Sequence, residues 1–175
     1  MTQTGTRTDA ESKKTKVQGL TPCLVFVNRA EEAVNFYVSL FDNSKVVSMV
    51  RSEGSEKMPK GTLMHAIFEL NGREYTAFDG GPSFSFSEGI SLMVTCETQE
   101  EIDNLWMGLT ADGGEEGPCG WLKDRFGLSW QIVPAALGQM LSDSKHGNTA
   151  KALEAMLQMK RLDIAALQHA YRTGS

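Results

Sequence analysis

Few side chains in this sequence are equipped for acid–base or ligand chemistry, and they lie on separate segments. The histidines are His65, His146 and His169, with none of the HxH or HExxH spacings that set two imidazoles on one metal. His65 sits on an alternating run beside Ala66 and Ile67, where it is either a hydrogen-bonded structural residue or a cavity-facing donor. Asp79 precedes Gly80-Gly81 and suits a ligand-contacting carboxylate or the acid of a turn. Cys119 precedes Gly120-Trp121 with no cation or helix start nearby to activate a thiolate, so a small buried residue is its first reading. Ser129 and Gln131 alternate with Trp130 and Ile132. If the first two face a cavity, the other two face the opposite side of the strand. Gln131 then bonds a polar ligand or rests as a satisfied amide. Phe78, Phe84, Phe86 and Trp121 suit the walls of an apolar pocket, and core packing equally well. The chemistry within reach of these residues is recognition of a small, partly apolar molecule by hydrogen bonds and aromatic faces.

The elements that must hold these residues follow from periodicity. Residues Thr21 to Val27 read as a strand ended by Asn28-Arg29. Ala33, Val34, Phe36, Tyr37, Leu40 and Phe41 recur at helical spacing, with Glu31 and Glu32 in the first turn. Strand-like runs follow over Lys45 to Arg51, Thr62 to Leu70 and Glu74 to Asp79, the last two joined by the turn pair Asn71-Gly72. The charged stretch Ser52 to Gly61 reads as an exposed loop. After Gly80-Gly81-Pro82 the order restarts: a strand over Ile90 to Cys96, and a helix capped by Thr98 with the stripe Ile102, Leu105, Trp106 and Leu109. Gly113-Gly114 then breaks the chain before short strands around Cys119 to Lys123 and Leu128 to Val133. The unit of strand, helix and strands thus occurs twice, with a period of about 60 residues. Neither glycine pair stands between strand and helix in a phosphate-cradling arrangement. Beyond Pro134, helices are predicted over Ala135 to Leu141, Asn148 to Met159 and after Asp163.

Composition bounds the setting. With 175 residues, 41% apolar and 22% charged, the chain matches one globular domain. Apolar runs such as Leu24-Val25-Phe26-Val27 fall far short of the roughly 20 residues of a membrane span, so no membrane partner is expected. A net charge of -5 and a pI near 5.2 oppose nucleic acid, and Lys13-Lys14-Thr15-Lys16 reads as a solvated tail. Three cysteines without CxxC spacing point to reduced thiols and a cytoplasmic setting. Residues 1–18, polar and without an apolar core, are expected to be a disordered tail rather than a signal or transit peptide.

The segment Ala30-Glu31-Glu32-Ala33-Val34-Asn35-Phe36-Tyr37 resembles the helix signature of the vicinal oxygen chelate superfamily, which includes glyoxalase I, bleomycin-resistance proteins and extradiol dioxygenases. The run from Cys119-Gly120-Trp121 through Asp124-Arg125-Phe126-Gly127 to Trp130-Gln131-Ile132-Val133-Pro134 is similar to the branch of the phosphonate-operon protein B, often labelled 3-demethylubiquinone-9 3-methyltransferase-like. The resemblance spans about Leu20 to Pro134 and implies an α+β fold of two βαβββ modules (glyoxalase/bleomycin-resistance fold). The modules fall at about 19–80 and 88–134 within a domain over 19–134, followed by a C-terminal helical extension over 135–175. It also implies U-shaped sheets backed by helices, a cavity on the concave face, and a homodimer.

Superfamily enzymes usually hold one divalent metal through four His or Glu ligands on the first and last strands of each module. The matching positions here are Pro22 or Cys23, a place near Asp79, Ser91 and Gln131. Proline, serine and a neutral glutamine are poor ligands, so no metal and no cofactor are expected. The reading is therefore a small-molecule-binding protein or metal-independent enzyme of this superfamily, with a cavity near His65, Asp79, Cys119, Trp121, Ser129 and Gln131. The alternatives are a divalent-metal lyase or dioxygenase using ligands such as His65 and Asp79, and methyl transfer. Methyl transfer generally uses a glycine-rich strand–loop–helix in a doubly wound sheet, which this element order does not provide.

Overall fold

The computed structural model describes residues 15–56 and 58–173; most of the tail expected over 1–18 lies outside them. The first module comprises β1 (Cys23–Phe26), α1 (Ala30–Leu40), β2 (Lys45–Arg51), β3 (Leu63–Leu70) and β4 (Arg73–Asp79), with sheet order β1-β4-β3-β2. The second comprises β5 (Leu92–Cys96), α2 (Gln99–Thr110), β6 (Glu115–Glu116), β7 (Trp121–Lys123) and β8 (Ser129–Pro134), with order β5-β8-β7-β6. In each sheet the first strand pairs parallel with the last and the remaining pairs are antiparallel. This is the α+β fold of two βαβββ modules.

Local chemistry explains the boundaries. Asn71 and Gly72 both take positive φ, 48° and 75°, the backbone that closes a two-residue hairpin between β3 and β4. Thr98 accepts from the Glu101 N–H while the Glu101 side chain accepts from the Thr98 N–H, a reciprocal cap that starts α2. Helix α1 begins after Arg29, which provides no side-chain cap. Asp79 supplies it from β4: one carboxylate oxygen accepts from the backbone N–H groups of Arg29 and Ala30, each at 2.8 Å. Strand β7 begins at Trp121 rather than at Cys119. Cys119 and Gly120 instead form a turn with φ of 57° and 84°, and a Cβ on Gly120 would stand 2.7 Å from the Ile132 carbonyl.

One core serves both modules. On the helix-facing side of the first sheet lie Leu24, Phe26, Ala66, Phe68 and Ala77, against Ala33, Val34 and Tyr37 of α1. On that side of the second lie Leu122, Trp130 and Ile132, against Ile102, Trp106 and Leu109 of α2. Helix α1 crosses the junction: Tyr37 meets Trp130 edge-on at 5.4 Å and Phe41 stacks on it at 5.6 Å.

Three C-terminal helices, α3 (Leu137–Ser142), α4 (Thr149–Leu157) and α5 (Ile164–Arg172), enclose a smaller core of Leu137, Met140, Ala152, Leu162 and Leu167. Asn148 and Asp163 cap α4 and α5. The segment between these helices docks on the second module. The carbonyls of Met159 and Lys160 accept from the N–H groups of Cys119 and Gly120, and Gln99 bonds both the Leu162 carbonyl and the Ile164 N–H. Among the described residues no helix is long and apolar enough to cross a membrane.

Candidate functional site

Alternation along β8 divides its side chains between two environments. Trp130 and Ile132 are buried among the helices. Gln131 is opposite Trp121 and Ser129 opposite Lys123 across the β7 ladder, so these four share the sheet's other face. Trp121, Lys123 and Ser129 line a hollow of about 400 Å³. Its rim carries Glu88, Glu115 and Glu116 and is completed by Gly117 and Pro118. Lys123 pairs with Glu88 from the linker between modules, which holds the Glu88 carboxyl below its ordinary range. Glu116 accepts from the Trp106 indole N–H at 2.8 Å, also lowering its pKa, and faces Lys160 of the extension. Ser129 is only 2% exposed; its hydroxyl makes no hydrogen bond among the described residues, yet it is not one of their buried unpartnered polar atoms, so it keeps an opening onto the hollow.

The expected site residues separate into groups. Trp121, Ser129 and Gln131 come together on one face. Gln131 donates its amide N–H to the Ser91 hydroxyl at 2.8 Å, so the amide already has a partner within the sheet. His65 is opposite Val50 and lies on the non-helical face of the first sheet with Ile67. Asp79 is occupied as the cap of α1, and Cys119 is half-buried in the turn held by Met159. Of the expected aromatic walls, Phe84 and Phe86 belong to a different hollow, beside the end of β1.

The metal set implied by the superfamily does not fit these positions. Cys23 is in register with Thr76 and Asp79 with Phe26, which puts the thiol and the carboxylate on opposite faces of the first sheet. In the second module the two corresponding positions are Ser91 and Gln131, whose side chains bond each other. Among the described residues no three His, Cys, Asp or Glu are grouped to hold a metal ion.

Asp124 carries a role that composition did not indicate. It is 3% exposed, and its carboxylate accepts four hydrogen bonds: from the Tyr37 hydroxyl at 2.7 Å, the Trp130 indole at 2.8 Å, and the N–H groups of Phe126 and Leu128 at 2.8 and 3.1 Å. Burial and the Asp124 charge push the Tyr37 phenol far above its ordinary pKa. The sequence signal was available only as the turn Asp124-Arg125-Phe126-Gly127, where an aspartate bonding backbone two residues on is common.

The model of the family described as 3-demethylubiquinone-9 3-methyltransferase matches residues 18–133. The chain belongs to this family. A PhnB protein of Bacillus cereus is 42% identical, with a TM-score of 0.62, and aligns over 67% of this chain and 100% of its own. Protein PA1353 of Pseudomonas aeruginosa is 21% identical over 67% of this chain and 98% of its own, with a TM-score of 0.55. The genomically encoded fosfomycin resistance protein FosX of Listeria monocytogenes, a vicinal oxygen chelate protein, is 14% identical over 72% and 98%, with a TM-score of 0.54. The last two likenesses concern the fold alone. Among curated proteins none matches. The 3-demethylubiquinone-9 3-methyltransferase family model ends at residue 133, so helices α3 to α5 lie outside it.

Proposed function

We propose that this protein binds a small, partly apolar molecule over the open face of the second sheet without a metal or other cofactor, and works as a cytoplasmic homodimer. The observation that carries the reading is the Ser129 hydroxyl, unbonded among the described residues and open to a hollow walled by Trp121. A hydroxyl open to the hollow bonds water in the free protein and a ligand hydroxyl, amide or carbonyl in the bound one, while the ligand's apolar part lies on the indole. Gln131, opposite Trp121, adds an acceptor oxygen at the edge of the same face. A second copy has apolar surface to meet on the first module, where Val47, Val50 and Met64 are about half exposed.

Ligand-observed NMR with a panel of small neutral aromatic alcohols and amides tests the binding claim. Binding to the wild type that persists in EDTA, is abolished by Trp121→Ala and is weakened by Ser129→Ala is expected. Equal binding by both variants would sink the reading. Light scattering should give about twice the chain mass of 19.2 kDa; a monomer would remove the dimer from it.

A further inference from the structure

A second hollow, of about 370 Å³, lies where the two modules and their linker meet. Its floor comes from the end of β1, and its walls from the linker and from the turn between β7 and β8. Two features set it apart from the hollow over the second sheet. Phe84, Phe86 and Phe126, with Phe26 beneath them, form an aromatic wall, and the hollow's charged lining residues are all cations: Arg29, Lys123 and Arg125.

This concentration runs against a chain of net charge -5. Arg29 sits on the aromatic wall, its guanidinium carbon 4.4 Å from the centre of the Phe126 ring, while that of Arg125 lies over Phe36 at 4.2 Å, outside the lining, and 5.1 Å from Phe126. The carboxylates that pair with these cations, Glu32, Asp112 and Glu88, stand outside the lining and are mostly solvent-exposed. The exposed Lys123–Glu88 pair is of the kind that is weak, whereas Glu32 holds Arg29 in a bidentate pair, both contacts at 2.9 Å, and Arg29 also donates to the Arg125 carbonyl at 3.0 Å. In addition, the Arg125 Nε–H is buried with no hydrogen-bond acceptor among the described residues; Glu32 approaches it only to 3.6 Å. The carboxylates thus balance the cations from outside the hollow, and none is among its lining residues.

We infer that the junction hollow is a binding site for a small aromatic carboxylate, with its ring against the Phe84, Phe86 and Phe126 wall and its carboxylate among Arg29, Lys123 and Arg125. Arginine favours planar oxyanions because its donors lie in a fixed fork, and the phenylalanine wall excludes water from one side of the ion pair. Glu88, carried on the linker and bonded to Lys123, occupies one of these cations until a ligand carboxylate exchanges with it. Lys123 also lines the hollow over the second sheet, so the two sites adjoin but have separate rings, Phe84 here and Trp121 there.

The test is fluorescence titration of the full chain with 2-naphthoate, beside its neutral analogue 2-naphthylmethanol. Naphthoate is expected to bind at least about tenfold more tightly than the alcohol, and to weaken as salt is raised. Phe84→Ala, on a half-exposed linker residue, and Lys123→Gln should each weaken naphthoate by about tenfold, whereas Trp121→Ala leaves it unchanged. Circular dichroism confirms that the variants are folded. No binding, equal affinity for the alcohol, or sensitivity to Trp121→Ala in place of Phe84→Ala overturns the inference. Because the alcohol can also enter the second-sheet hollow, the two affinities are compared in the Trp121→Ala variant, where only the junction hollow is left to read; neutral binding over the second sheet is tested separately by Trp121→Ala and Ser129→Ala against the wild type.

Discussion

The two faces of β8 do opposite work with adjacent residues. On one face Trp130 is enclosed by Tyr37 and Phe41 and donates to Asp124, whose carboxylate accepts four hydrogen bonds. On the other, among the described residues, the Ser129 hydroxyl makes no hydrogen bond and the Gln131 side chain bonds Ser91. The strand's period of two sends successive side chains to a saturated junction and to a surface with spare bonding capacity. Stability is thus concentrated between the modules, the proposed recognition lies on the sheet's other side, and substitutions can separate the two.

The largest effect is expected at the junction. Asp124→Ala removes the acceptor for four donors and leaves the Tyr37 hydroxyl and Trp130 indole buried without partners. A loss of about 3–5 kcal/mol in urea unfolding is expected. A loss below about 1 kcal/mol would mean that the two faces do not differ as described. Next is the docked extension. Leu162 is fully buried in the smaller core and packs beside Gly120, so Leu162→Ala should cost about 2–4 kcal/mol. Two separate unfolding transitions in that variant would show the extension to be an independent unit and not a support for the β7 turn.

Alkaline pH should weaken the packed side selectively. Burial raises the Cys96 thiol from 9.0 to about 11, and Tyr37 is raised for the same reason together with the Asp124 charge. For an acid whose folded pKa is raised, stability is intact below the unfolded pKa and is lost as pH climbs toward the folded one. Cys96 alone therefore withdraws about 2–3 kcal/mol between pH 9 and 11, and Tyr37 adds to the loss above its ordinary value of 10.0. Urea midpoints measured from pH 8 to 11 test this. Cys96→Ala should start lower and fall less steeply; an equal slope would assign the alkaline loss to other groups.

The elements that periodicity reports were legible from sequence, and so was the orientation of β8. The alternation of Ser129, Trp130, Gln131 and Ile132 and the Thr98 cap are local signals, carried by neighbouring residues. What was hidden depends on distant partners. Asp79 as a turn acid or ligand contact is a fair reading of Asp before Gly-Gly, but its carboxylate caps a helix that starts 49 residues earlier. Asp124 showed only its turn, because Tyr37 lies 87 residues away. Cys119 was read onto a strand because Trp121, Leu122 and Lys123 follow it; the left-handed turn is fixed by carbonyls of Met159 and Lys160, from an extension whose docking no local pattern announces. The second hollow likewise joins Arg29 to Lys123 and Arg125 only through packing of the modules.

The smallest expected effect lies on the open face and gives the comparison its control. Gln131→Ala removes one hydrogen bond, to a serine hydroxyl at the sheet's margin, where water can replace the lost amide. Its cost should be about 0.5–1 kcal/mol, several times less than Asp124→Ala although both residues serve the same module. A double-mutant cycle with Ser91→Ala isolates the pair: a coupling of at most about 1 kcal/mol is expected. A coupling near that of the Asp124 web would place Gln131 among the residues that hold the sheet together, leaving Trp121 and Ser129 to carry recognition. A weak coupling accompanied by poorer ligand binding in Gln131→Ala would assign the amide to the ligand.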